Sequence, residues 1–162
     1  MKFLPFIILL LFTKPGSELV SIRQQYIDAA TSESSANEFH DEMKDLKANG
    51  SNHTLMAYKA ASIVLLAKYE SGLITKTRLF NRGTDMLEET IEKDPNNYEA
   101  RLIRLNIQDN VPWITGYTSD LKKDKAFLIK NYAKQEAGLK DFAKKYAQRS
   151  EAFSKKEKAM FD

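Results

Sequence analysis

Two histidines are the first candidates for acid–base or metal chemistry in this sequence. His40 lies among Glu38, Asp41 and Glu42, and His53 sits in the polar run "KANGSNHT". A zinc site needs three convergent protein donors, and neither histidine has a second one four residues away. The expectation is a solvated helix residue at His40 and an exposed turn residue at His53. Carboxylates crowd twice, at Glu38, Asp41, Glu42 and Asp45, and at Asp85, Glu88, Glu89 and Glu92. A carboxylate pair does acid–base work only where its surroundings drive the two pKa values apart. At helical spacing such runs make the wet faces of amphipathic helices, and that is the expectation here. The chain has no Gly-rich phosphate loop, no Gly-x-Ser-x-Gly elbow and no calcium loop. It has no cysteine, which excludes a disulfide framework, a zinc–thiolate site and a thiol nucleophile. These residue types and spacings therefore point to no catalytic residue, no metal and no cofactor.

Two stretches suit binding better than catalysis. From Lys122 to Asp162 there are twelve Lys or Arg against six Asp or Glu. That segment offers weak contact with an anionic surface, although Lys mixed with acids is the ordinary make-up of a solvated face. The formal net charge of +3 is too small to argue for nucleic acid. The second stretch is Asn110 to Tyr117, "NVPWITGY", which holds the only Trp. Pro112 forces Val111 out of helical geometry, and Gly116 permits a turn. An apolar corner of Val111, Trp113, Ile114 and Tyr117 either folds back as a plug or forms a binding face. The plug is the expectation, because burying Trp113 would contribute a few kcal/mol.

The elements that must position these residues read as helices. Leu19, Ile22, Tyr26 and Ala30 step by threes and fours, as do Ala36, Phe39, Met43 and Leu46. Asn49-Gly50 is a helix stop, and Ser51 or Asn52 can cap the next helix. Leu55 to Tyr69 is apolar nearly all round, which predicts the central helix. Leu73 to Lys93 comes after Gly72, then the tight turn Asp94-Pro95-Asn96-Asn97, then Tyr98 to Gln108. Leu121, Leu128, Ile129 and Tyr132 mark another helix. Leu139, Phe142, Ala143, Tyr146 and Phe153 mark the last, which the pattern allows to run on across Gly138. No segment alternates as a strand does. The expected fold is all-α: antiparallel helical hairpins in a short solenoid or an irregular bundle, forming one domain over residues 18–162.

Residues 1–17 read as a secretory signal peptide: Lys2, an apolar run from Phe3 to Phe12, and small residues at Gly16 and Ser17 where cleavage would fall. The run is shorter than the ~20 residues of a membrane span. The expected location is periplasmic or secreted. Losing Lys2 and Lys14 would bring the formal charge from +3 to +1. Asn49 to Ser51 and Asn52 to Thr54 are formal glycosylation sequons.

"LEETIEKDPNNYEARLIRL", Leu87 to Leu105, resembles the junction between two tetratricopeptide repeats. Pro95, Asn96-Asn97 and Glu99-Ala100 match in order, and Gly83 and Leu87 stand where that repeat has a small and a large apolar residue. Arg101 stands where the repeat favours an aromatic and Thr90 where it favours Ala, and no second copy recurs at a period of about 34 residues. The region from Tyr98 to Lys130 is also similar to short secreted helical proteins of Bacteroidota with no assigned activity. The resemblance implies stacked hairpins with a concave face that holds a protein or peptide. On that reading Asn97, Arg101 and Arg104 line the groove, and alanine at both Arg positions leaves stability within about 0.5 kcal/mol. The expected function is an exported, non-catalytic protein-interaction module. The alternative is a carrier or chaperone holding apolar ligands between helices, lined by Phe80, Met86, Trp113 and Tyr117. A hydrolase would need a large pocket with a buried carboxylate or histidine.

Overall fold

The computed structural model describes residues 15–45 and 52–162, with side chains from residue 18 onward. Residues 1–14 of the expected 1–17 leader lie outside the described residues, as do Leu46, the Asn49-Gly50 stop, Ser51 and the Asn49 sequon. Every regular element among the described residues is helical, and the fold is all-α.

Helix α1 spans Pro15–Ala29 and opens on a proline, where the missing N–H would have no intrahelical partner. Its buried stripe is Ile22, Tyr26 and Ala29. The expected cleavage point near Gly16 or Ser17 falls in the first turn of this helix. Ser32 then turns the chain, its Oγ accepting the Ser35 N–H at 3.1 Å. Helix α2, Glu33–Asp45, buries Ala36, Phe39 and Met43. Helix α3, His53–Tyr69, starts at an Asn52 cap whose side chain accepts from the Leu55 N–H at 3.1 Å.

Helix α4, Leu73–Lys93, returns along α3, and among the described residues these two share the most extensive contact. Gly83 makes that approach possible. A Cβ there would lie 2.6 Å from Val64 Cγ2 and 2.9 Å from the Ala60 carbonyl, distances no real side chain occupies. The small residue read from the sequence at this position therefore has a direct packing reason.

The Asp94–Asn97 turn leads into α5, Tyr98–Asn110. Asn97 caps α5, accepting from the Ala100 N–H at 2.9 Å. Helix α5 is buried nearly all round, as α3 is, but its buried residues include Glu99, Arg101, Arg104 and Gln108. A 3-10 turn, Trp113–Thr115, comes next and ends at Gly116 with φ +71°. Helix α6 is Leu121–Asn131, α7 is Ala137–Arg149, and the single turn α8 is Lys155–Lys158, closed by a 3-10 turn at Ala159–Phe161.

The last helix does not run on across Gly138. Gln135 and Glu136 are extended, and the Glu136 carboxylate caps α7 by accepting the Gly138 and Leu139 N–H groups, both at 2.7 Å. A Gly is tolerated near a helix start, so the apolar period alone gave no sign of this break. Odd-numbered helices touch in succession, α1 to α3 to α5 to α7, while α2, α4 and α6 pack on α3 and α5. Tyr26 lies at the meeting point, edge-on or tilted against Phe39, Tyr58 and Phe142 at centroid distances of 5.7–6.5 Å.

Candidate functional site

The arginines read as groove residues are structural. Arg101 and Arg104 stand three apart on α5, so both face α6. Arg104 grips the Asp124 carboxylate with two bonds, Nε to Oδ2 at 2.6 Å and Nη2 to Oδ1 at 2.9 Å. Arg101 Nη1 adds a third at 3.0 Å, and its Nε donates to the Pro95 carbonyl at 2.7 Å. The Arg101 guanidinium also lies over the Phe127 ring, 4.2 Å from its centroid. Arg104 reaches Glu88 on α4 at 2.5 Å. Tyr117 donates its hydroxyl to the other Glu88 oxygen. Burial, then this bond and the Glu88 charge, push the Tyr117 phenol far above its ordinary pKa, so it remains a donor. Asp124 is fully buried and Arg104 is 4% exposed. The cluster sets two arginines against Asp124 and Glu88, with Asp120 3.8 Å from Arg104 Nη2, and ties α4, α5 and α6 together. Its arginines are at most 8% exposed and spend most of their donors inside the protein, and alanine at both would strand a buried Asp124.

A second buried pair joins the other helices. Arg23 on α1 takes Glu99 on α5 in a two-bond grip, at 2.7 and 2.9 Å. Tyr58 on α3 donates to the same carboxylate at 2.5 Å. The third Arg23 nitrogen reaches Glu136 at 3.0 Å, the residue that caps α7. Burial acts to raise the Glu136 pKa, but the two backbone N–H bonds and Arg23 outweigh it and leave it lowered. One arginine thus fixes the relative positions of α1, α3, α5 and the start of α7.

Asn97 is also structural: beyond its cap, its Nδ2 donates to Thr54 Oγ1 and Asp94 Oδ2, both at 3.1 Å. The Trp113 corner is not a plug. Trp113 is 83% exposed and Ile114 is 77% exposed. The turn that carries them is nonetheless fixed: Thr115 N–H and Oγ1 both bond the Pro112 carbonyl, at 3.0 and 2.9 Å, and Gly116 N–H bonds the Trp113 carbonyl at 3.0 Å. Tyr117 is its anchor, packed edge-on against Phe80 at 5.9 Å and bonded to Glu88. The four residues expected to line a ligand chamber therefore do not enclose one. Phe80 and Tyr117 fill each other's space, and Trp113 stands in solvent.

His40 is half-buried rather than solvated. Its Nδ1 is 3.1 Å from Ser62 Oγ, and Ser62 gives its proton to the Lys59 carbonyl at 2.8 Å. The serine has one proton to give, so His40 must be the donor in the pair. That is the reverse of a base activating a nucleophile, and Ser62 is fully buried. Burial holds the His40 pKa below its usual value. His53 is half-buried, with Nδ1 3.6 Å from Asp94. Glu38, Asp41, Glu42 and Asp45 are exposed, as expected of a wet face, whereas Glu88 of the second acidic run is committed to Arg104. Among the described residues no three His, Asp or Glu side chains stand where they could hold one metal ion. Of the basic C-terminal third, Lys125, Lys144 and Lys145 pair with Glu157, Asp162 and Asp141.

Sequence reasoning missed Asp124, Glu88, Arg23 and Glu99. One signal was present: the apolar residues of α5 (Ala100, Leu102, Ile103, Leu105, Ile107) cover more than one stripe, so its arginines could not all be wet. Asp124 was hidden by its neighbours Lys122, Lys123 and Lys125. No family model, no curated protein and no solved structure matches this chain.

Proposed function

We propose that the chain is a non-catalytic protein-interaction module, exported by its leader, that engages a partner through the Trp113–Ile114 corner. The observation that carries this reading is a large aromatic and a β-branched side chain held in water on a hydrogen-bonded turn. Leaving Trp113 unburied forgoes a few kcal/mol that the expected plug would have contributed. Trp is the residue most enriched among interface hot spots, and a preordered turn limits the entropy lost on docking. The complementary partner surface is an apolar pocket. Catalysis draws no support from the buried acids, since Asp124 and Glu99 are each neutralised by arginine. Among the described residues no helix is long and apolar enough to cross a membrane.

The test is capture from the native envelope, with the chain lacking its leader as bait. The same partner should be retained by the unaltered chain and lost with Trp113→Ser/Ile114→Ser, at unchanged helicity. Retention by both forms, or by neither, would contradict the reading.

A further inference from the structure

A partly enclosed cleft of about 260 Å³ lies between α1, α5 and α7, and the Trp113 corner contributes nothing to its walls. Ile27, Leu102, Ile103 and Phe142 make its lining apolar. Tyr26 supplies one polar point in the wall: its hydroxyl accepts from Asn106 Nδ2 at 2.9 Å, and among the described residues no acceptor takes its own proton. Burial raises the Tyr26 phenol far above its ordinary pKa, so that proton stays in place. Ala30, Thr31 and Tyr146 also line it, and Lys145 and Arg149 are exposed at its edge, which puts two cations at the opening. Lys145 shares its charge with the exposed Asp141 at 2.7 Å, and among the described residues Arg149 has no ion-pair partner.

We infer that this cleft binds a small amphipathic carboxylic acid, its apolar body against Ile103 and Phe142 and its carboxylate facing Arg149 and Lys145. The chemistry of the lining selects this class. An apolar wall takes a hydrocarbon body, and a cationic rim takes an anionic head. The volume lies just under the ~300 Å³ at which sites for drug-sized ligands begin. It suits a short chain or a single ring rather than a long-chain lipid. A cationic amphiphile of the same length would meet like charge at the opening, so selection between head groups rests on Lys145 and Arg149 alone.

The test is an NMR titration of the chain with octanoate and octylamine up to the millimolar range. Octanoate should move the signals of Ile27, Ile103, Phe142 and Tyr146, and octylamine should bind about tenfold more weakly or not at all. Reversing both rim charges, Lys145→Glu/Arg149→Glu, should weaken octanoate by about tenfold or more; both side chains are exposed, so the fold should be unchanged by circular dichroism. Ile27→Trp, which fills the cleft from its half-buried rim, should abolish octanoate binding. Absence of any shift with octanoate would overturn the inference. So would equal binding of octanoate and octylamine, or undiminished octanoate binding by the charge-reversed chain.

Discussion

Helix α5 and the Trp113 corner just beyond it are neighbours in sequence and opposites in chemistry. Helix α5 buries Glu99, Arg101 and Arg104. The corner, only a few residues on, leaves the chain's one Trp in water. Charge lies inside and oil outside, the reverse of what average burial tendencies suggest. The two regions teach one lesson. A residue type says what a side chain can do, and the number of neighbouring elements decides whether it is buried. Helix α5 is flanked by α3, α4, α6 and α7, so even its polar positions face protein. The corner has a fixed backbone anchored by Val111 and Tyr117 at its two ends, and the apolar residues between them, Trp113 and Ile114, face solvent.

The contrast breaks most severely at Asp124. Asp124→Ala would leave two buried guanidiniums without their shared carboxylate. The expected loss is about 3–5 kcal/mol, read from urea unfolding as a lower midpoint. A loss under about 1 kcal/mol would mean that the cluster is solvated and that α5 is less enclosed than its neighbours imply. Gly83→Ala comes next. Its Cβ would press on Val64 and the Ala60 carbonyl, and forced separation of α3 and α4 should destabilise by about 1–3 kcal/mol in the same assay. Neutrality there would show that the helices can part without strain.

Much of the fold was legible in the sequence. The three-and-four spacing of apolar residues marked the long helices, although Ala30 and Phe153, counted on their stripes, lie in the turns after α1 and α7; Gly83 and the Asp94–Asn97 turn have the roles expected of them. The site was less legible, for physical reasons. Apolar period assigns polar residues to a wet face, and it fails where a helix is enclosed, as at Arg101, Arg104 and Asp124. Burial statistics assign Trp to the interior, and they fail where a short turn has no helix above it, as at Trp113. Glu136 ended the apparent continuity into α7 because a capping carboxylate, unlike an apolar residue, leaves no periodic mark.

The smallest energetic effect belongs to the corner, and it bears most directly on the claim that oil lies outside. Because Trp113 is the only Trp, fluorescence excited on the long-wavelength side of tyrosine absorption reports on that position alone. A solvated corner predicts emission and acrylamide quenching close to those of a free indole in water, with the same signal before and after unfolding in urea. A blue-shifted, protected emission that moves to the red only on unfolding would show that the corner is a plug and would contradict the proposed binding surface.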